Sequence, residues 1–274
     1  MERNSMLCPH CRKLISRDER SCPYCGTPTI GARWLEAKSI SQISNYLEPI
    51  TGIIAVTSFY FIASLLVSQL ITAESVGFLL SPSQTALFNL GASGTIPMDA
   101  YGRYWSLLAA SFLHGNLLHI GFNMLALWQI GGFVLNIYGP GRFFIIYLMS
   151  GVLGFYVSYL AGIPFTIGAS ASICGLIGTV IYYGKSRGGF YGSMIYKQAL
   201  GWVIGIAIFG FIIPGINNWA HGGGLLAGIA LGFLLGYNEK SREGAWQRLT
   251  GAFLVLVSLA ILCWALIKAL LMIP

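Results

Sequence analysis

The sequence predicts an all-α polytopic membrane protein with seven membrane-spanning helices and a small metal-binding segment at its N-terminus. Two observations predict the membrane fold. Of the 274 residues, 55% are hydrophobic and only 9% are charged, whereas soluble domains carry roughly 25% charged residues. The apolar residues also lie in long uncharged runs, and about 20 of them suffice for a helix to cross a bilayer. This composition excludes a soluble enzyme.

Five runs without Asp, Glu, Lys or Arg hold the predicted helices. They are residues 49–73, 104–141, 143–184, 198–238 and 249–267. The third run is interrupted at Gly162-Ile163-Pro164 and the fourth at Pro214-Gly215. Because proline and glycine break helices, each of these two runs is predicted to form two helices joined by a tight turn.

The placement of Lys and Arg decides how the run 104–141 is divided. One division leaves residues 104–115 outside the membrane-spanning helices and makes 116–137 the second helix. All 16 Lys and Arg residues except Arg103 and Lys268 then lie on the cytoplasmic side. Short cytoplasmic loops of membrane proteins carry an excess of Lys and Arg. The sequence therefore predicts a multi-pass membrane protein with a cytoplasmic N-terminus and the C-terminus outside. We expect its location to be the bacterial cell membrane. We interpret the net charge of +7 as an anchor to the inner leaflet of the lipid bilayer, and we expect no nucleic-acid partner.

Four of the six cysteines form a pattern typical of a structural zinc site. Cys8-Pro-His-Cys11 and Cys22-Pro-Tyr-Cys25 are CxxC motifs separated by ten residues, and four thiolates hold Zn²⁺ tetrahedrally. In so short a segment the metal would supply the folding free energy. Two disulfides are the alternative, which a reducing cytoplasm disfavours. A four-cysteine site has no open position for substrate, so we expect the zinc ribbon to dock a protein partner.

The membrane part contains few groups that could do chemistry. No acidic residue lies between Asp99 and Glu239, and there is no HExxH motif, which argues against a paired-aspartate protease and the usual helical zinc protease. A solute transporter is disfavoured because acidic carriers and visible inverted repeats are lacking. The remaining polar residues are costly in a bilayer unless they serve a purpose. They are His114, His119, Asn123, Ser170, Ser172, Asn217, Asn218 and His221.

Three predicted helices run from outside to inside and bring polar residues to one depth. His119 and Asn123 lie four apart on one helix face, Ser170 starts the fourth helix, and His221 lies near the start of the sixth. A hydroxyl, an imidazole and a donor pair are the parts of a serine nucleophile, a general base and an oxyanion hole. Because this region offers no acidic partner, the expected constellation is a Ser-His dyad rather than a triad.

Glycines favour close packing of the two helices that carry Ser170 and His221. Small residues at intervals of four let helix backbones approach in a membrane, although they also serve ordinary helix packing. The glycines are Gly224, Gly228, Gly232 and Gly236 on one helix, and Gly168, Gly175 and Gly178 on or before the other.

Three segments resemble the signature segments of the rhomboid intramembrane serine proteases. They are His114-Gly-Asn-Leu-Leu-His119-Ile-Gly-Phe-Asn123, Gly168-Ala-Ser170 and Ala220-His221-Gly-Gly-Gly224. The resemblance covers roughly residues 50–237 and implies a rhomboid-like six-helix core, to which this chain adds a C-terminal seventh transmembrane helix. The predicted organisation is a zinc ribbon at 1–28, a polar linker at 29–48, the core at 49–237, and a cytoplasmic loop with the seventh helix at 238–274.

The resemblance also implies an activity and residue roles. The activity is that of a serine endopeptidase that needs no catalytic cofactor and cleaves single-pass transmembrane substrates near the outer membrane face. The implied roles are Ser170 as nucleophile, His221 as general base, His119 and Asn123 as oxyanion donors, and His114 and Gly168 as supporting residues.

Two positions depart from the family pattern. Ala171 follows the nucleophile where the family usually has glycine, and Cys174 stands where an aromatic residue usually packs on the histidine ring. A catalytically inactive rhomboid-like protein that binds transmembrane helices is therefore the alternative. A literal GxSG motif, Gly91-Ala-Ser93-Gly94, falls in the predicted outer loop 74–103, and we interpret Ser93 as a loop serine.

Overall fold

The computed structural model describes residues 5–8, 10–16, 22–26, 32–72 and 79–271, with the backbone alone for residues 32–48. Its two compact units divide between Glu48 and Pro49. In the first unit, strands β1 (Ser5–Leu7) and β2 (Leu14–Ser16) pair antiparallel. Among the described side chains of this unit, Cys8, Ile15 and Cys22 are buried and pack together.

Nine α-helices make up most of the described chain. They are α1 (Ala32–Thr72), α2 (Gln84–Leu90), α3 (Ser106–Ala109), α4 (Leu117–Tyr138), α5 (Pro140–Leu160), α6 (Ser170–Arg187), α7 (Gly189–Ile212), α8 (Asn218–Leu235) and α9 (Ala245–Leu270). A π-helical turn (Ile96–Ala100) and a 3-10 turn (Ala110–Phe112) flank α3. Residues 32–48, where the sequence predicts a linker, belong to the helix α1.

Six helices of the described chain are long and apolar enough to cross a membrane. They are Pro49–Ile71 within α1, and α4, α5, α7, α8 and α9. The predicted all-α polytopic membrane fold is therefore confirmed. The predicted fourth span is α6, which is less apolar because its last turn carries Lys185 and Arg187. Residues 171–180 of α6 are all buried, and α6 packs against α4, α5, α7 and α8.

The helices that carry the predicted site begin at asparagine caps. The Asn116 side chain accepts a hydrogen bond from the His119 amide (2.8 Å) at the start of α4. In the same way, Asn217 accepts one from the Ala220 amide (3.1 Å) at the start of α8. An amide oxygen in this position satisfies one of the free N–H groups of the first helical turn. The two caps therefore fix where α4 and α8 start.

Glycine allows α6 and α8 to touch through their backbones. A Cβ on Gly228 would lie 2.6 Å from the Cα of Gly175, and a Cβ on Gly224 would lie 2.9 Å from the carbonyl carbon of Ala171. Such separations leave no room for a methyl group, so any side chain would push the helices apart. The predicted close packing is thus observed, except that Gly236 caps the end of α8 with φ +66°.

A buried arginine ties the loop after α8 to the turn between α4 and α5. The Arg142 guanidinium donates hydrogen bonds to the carbonyl oxygens of Ser241 (3.1 Å) and Arg242 (3.3 Å). Its backbone amide donates to the Glu243 carboxylate at 2.8 Å. This loop leads into α9, whose Trp264 packs edge-on against Trp105, with ring centroids 5.0 Å apart. The seventh helix is therefore an integral part of the second compact unit.

Candidate active site

Ser170 and His221 are in hydrogen-bond contact. The Ser170 Oγ lies 2.8 Å from Nε2 of His221, at the first residue of α6 and in the first turn of α8. For the hydroxyl to donate, Nε2 must be unprotonated, so Nδ1 carries the ring hydrogen. Nδ1 is buried and makes no hydrogen bond to any described side chain or backbone group. Within the described residues, the pair therefore has the geometry of a dyad with no third member.

His119 lies beside the loop that precedes Ser170. A Cβ on Gly168 would be only 2.7 Å from Nε2 of His119 and 3.8 Å from the Ser170 Oγ. Gly168 also has a φ of +122°, a conformation that residues with a Cβ rarely adopt. The Gly115 amide donates to Nδ1 of His119 at 3.4 Å. Because Nδ1 accepts that bond, Nε2 is the protonated nitrogen and can donate next to Ser170.

Asn123 and His114 occupy supporting places. The Asn123 amide nitrogen donates to the carbonyl oxygen of His119 at 2.8 Å, which uses one of its two hydrogens. His114 is fully buried, and its Nε2 accepts the Ala169 amide at 3.4 Å. Its ring packs edge-on against His119 with centroids 4.9 Å apart. His114 therefore connects the loop before α6 to the histidine of α4.

The sequence profile of the Rhomboid domain matches residues 101–238, which are 138 of the 274 residues and include all of these groups. The chain belongs to the rhomboid family. It is 35% identical over 162 residues to the rhomboid protease GluP of Bacillus subtilis, covering 59% of this chain and 31% of that protein.

The chain is also similar to two proteins from Arabidopsis thaliana, one of which is named as inactive. RHOMBOID-like protein 4 is 30% identical over 159 residues, covering 57% of this chain and 40% of its own length. Inactive RHOMBOID-like protein 8 is 31% identical over 169 residues, covering 60% and 48%. The chain thus spans less than half the length of these three relatives.

Ala171, the first departure of this rhomboid from the family pattern, fits without displacing Ser170. Its side chain is fully buried among Ala110, Phe155 and Ala220. A Cβ on Gly154 of α5 would be 2.9 Å from the Ala171 Cβ, so the methyl group occupies space that a glycine on the facing helix leaves open. In this rhomboid the positive φ before Ser170 lies at Gly168, and Ala171 has an ordinary helical backbone.

Cys174, the second departure, lines a cavity beside the general-base candidate. The cavity has a volume of about 210 Å³ and is bordered by His221 and by side chains of α6, α7 and α8. A small thiol at position 174 contributes to this space because it fills less volume than an aromatic ring. The His221 ring of this rhomboid consequently has an apolar opening on the side of α7.

Ser93 braces the loop that precedes Ser170 through its backbone. It is fully buried, and its amide and carbonyl exchange hydrogen bonds of 3.0 and 2.7 Å with Thr166. The Ser93 hydroxyl contacts only the Met98 sulfur at 3.8 Å among the described residues. The literal GxSG motif of this rhomboid therefore marks a structural pairing, and Gly94 lies close to the Pro164 carbonyl in the same pairing.

The four N-terminal cysteines form a cluster that could hold a metal ion. Their sulfur atoms all lie within 4.8 Å of one another, with Cys8 and Cys25 at 3.6 Å and Cys11 and Cys22 at 3.6 Å. Tetrahedral ligands at a Zn–S distance of 2.3 Å would be about 3.8 Å apart, whereas a disulfide needs about 2.05 Å. The sulfur spacing therefore fits a tetrahedral metal site.

The two cysteine knuckles repeat one backbone conformation. The Arg12 amide donates to the Cys8 carbonyl and the Gly26 amide donates to the Cys22 carbonyl, both at 2.9 Å. Arg12 and Gly26 have φ values of 57° and 69°. The equivalent turns point each pair of sulfurs toward the same centre.

Proposed function

We propose that this protein is an intramembrane serine endopeptidase in which Ser170 is the nucleophile and His221 the general base. The observation that carries the proposal is the 2.8 Å contact between Ser170 Oγ and His221 Nε2. Membership of the rhomboid family and similarity to a relative named as a protease support it independently.

The proposed reaction transfers one proton through His221. Nε2 of His221 accepts the Ser170 hydroxyl proton while Oγ attacks the carbonyl carbon of the scissile peptide bond. The protonated imidazole then gives that proton to the leaving amine, which breaks the C–N bond and leaves an acyl ester on Ser170. Water, deprotonated by His221, attacks the ester, and the proton returns to Oγ as the acid product leaves.

The negative charge on the attacked oxygen needs donors. Nε2–H of His119 and the second hydrogen of the Asn123 amide are proposed as two of them, with the backbone amide of Ser170 as the third. The start of α6 adds the positive end of a helix dipole. The support is the approach of the His119 ring to Gly168 and the Gly115 bond that leaves Nε2 protonated.

The proposed substrates are single-pass transmembrane proteins cut near the outer membrane face. Helical peptide bonds are shielded by their own hydrogen bonds, so we expect cleavage next to helix-weakening Gly, Pro or small residues. The positive-inside asymmetry of the sequence supports the proposed orientation, with a cytoplasmic N-terminus and the nucleophile near the outer face.

A fluorophosphonate serine probe tests the proposal on the detergent-purified full chain. We expect stoichiometric labelling, with the adduct located on the peptide that contains Ser170 by mass spectrometry. A folded protein that takes up no probe would contradict the protease proposal and favour a non-catalytic protein that binds transmembrane helices.

We also propose that the N-terminal cluster binds one structural Zn²⁺ through Cys8, Cys11, Cys22 and Cys25. The Cys11 and His10 backbone amides lower the pKa of Cys8, the first of them most. The Lys13 amide acts to lower the pKa of Cys11, but burial and the neighbouring thiols outweigh it and raise that pKa to about 12. All four cysteines can be thiolates at once only if a bound cation offsets their negative charges. The sulfur spacing fits such a cation.

Replacing Cys8 and Cys11 together by serine should reduce bound zinc from about one per chain to almost none. Acidification from pH 7.5 to 5 should release zinc from the wild type, because protons compete with the metal for the thiolates. Elemental analysis of the purified full chain measures both effects. His10→Ala is the matched control, since His10 is exposed and lies outside the sulfur cluster. Unchanged zinc content in the double variant would refute the site.

A further inference from the structure

Asn217 joins three segments around the candidate dyad through one side chain. Its amide nitrogen donates to the Ser158 Oγ at 2.6 Å and to the Thr166 Oγ1 at 2.9 Å. Its amide oxygen accepts from the Ala220 amide at 3.1 Å. Ser158 lies near the end of α5, Thr166 lies in the loop before α6, and Ala220 belongs to α8. The amide nitrogen thus bonds to two other segments, while the amide oxygen caps α8.

The contact between Asn217 and Thr166 runs parallel to the contact between the dyad residues. Thr166 precedes Ser170 by four residues, and Asn217 precedes His221 by four residues. The donor-acceptor distances are 2.9 Å for Asn217–Thr166 and 2.8 Å for Ser170–His221. The segment that contains Ser170 and the segment that contains His221 are therefore joined by two hydrogen bonds, four residues apart in each segment.

Thr166 is held on its other side as well, so the cross-link acts on a fixed loop. Its backbone pairs with Ser93, and two residues later the Gly168 amide donates to the Ala110 carbonyl at 2.9 Å. Thr166 and Ser158 are both buried. Burial protects their hydroxyls from competing water, and a buried hydroxyl left without a partner is costly. The Asn217 bonds thus resist a shift of α8 against the loop.

We propose that Asn217 is a positioning residue that sets the distance and angle between the Ser170 hydroxyl and the His221 imidazole. This inference rests on the proposed function of the dyad. Catalytic groups must be held within fractions of an ångström of the productive geometry, and a displacement of about 1 Å can cost about 10²-fold in rate. The α8 cap alone would fix where the helix starts, whereas the bonds to Thr166 and Ser158 fix where that start lies relative to Ser170.

The test uses the kinetics of fluorophosphonate labelling on the full chain in detergent. Asn217→Ser retains a side-chain oxygen that can cap α8 but is too short to bridge to Thr166 and Ser158. Thr166→Val removes only the hydroxyl acceptor. We expect each variant to lower the maximal labelling rate constant about tenfold, with the half-saturating probe concentration and the final labelled fraction unchanged. The double variant should be no slower than the slower single variant, because both changes remove the same Asn217–Thr166 bond.

Ser83→Ala is the matched control, because it removes a side-chain cap from α2 and leaves the dyad contacts in place. It should label at the wild-type rate. A role in folding alone would lower the labelled fraction at an unchanged rate constant, and that result would overturn the inference, as would additive effects in the double variant. A wild-type rate in folded Asn217→Ser overturns the inference and leaves the protease proposal intact. An unlabelled wild type overturns both.

Discussion

Replacing Ser170 by alanine should abolish probe labelling and lower proteolysis of a transmembrane substrate by about 10³-fold or more. His221→Ala should have an effect of similar size, because among the described residues His221 is the base in contact with the Ser170 hydroxyl. Gel-based labelling and cleavage of a reporter with a single transmembrane helix, both on purified protein, measure the loss.

Two serine variants control for nonspecific effects on this prediction. Ser172→Ala alters a buried hydroxyl on α6 that contacts Ser111 at 3.5 Å, and Ser93→Ala preserves the backbone pairing with Thr166. Both should keep labelling. Persistent labelling of Ser170→Ala would identify a different nucleophile and reject the assigned dyad.

Gly228→Ala should be the most destabilising single-methyl change in α8. The added Cβ would lie 2.5 Å from the Gly175 carbonyl carbon, and this neighbour is backbone that cannot rotate away. Overpacking of this kind costs about 1–3 kcal/mol, so the unfolding temperature in detergent should fall. The labelling rate should fall with it, because separating α6 from α8 lengthens the Ser170–His221 contact.

Gly222→Ala supplies the matched control for Gly228→Ala on the same helix. A Cβ on Gly222 meets nothing within 4 Å, and alanine has a higher helix propensity than glycine by about 1 kcal/mol. Thermal unfolding should therefore show Gly222→Ala at or above wild-type stability. Equal destabilisation by both changes would show that the loss of stability does not come from the close contact between Gly228 and Gly175.

Patterns local in sequence predicted much of this molecule. Uncharged runs broken by Pro and Gly located the helices because membrane insertion depends on local hydropathy. The spacing of the cysteines predicted a cluster, and the matching depth of Ser170 and His221 predicted that the two could approach.

Features that depend on contacts between distant segments were less accessible. The polar composition of residues 29–48 suggested a linker, whereas residues 32–48 are helical. The methyl group of Ala171 departs from the family pattern, and the space it occupies is left open by Gly154 on another helix. In the sequence Asn217 is only one of several polar residues. A position just before a helix start is typical of a cap, but the bonds of Asn217 to Thr166 and Ser158 join segments more than 50 residues apart.

The modest hydropathy of α6 has a consequence for biogenesis. This helix carries the proposed nucleophile and two basic residues in its last turn, and it is not among the described helices apolar enough to enter a bilayer by composition. Insertion of each segment depends on its own transfer free energy unless neighbouring helices shield it. We therefore expect α6 to integrate late and cooperatively, so that the proposed catalytic centre forms only after α7 and α8 have left the ribosome.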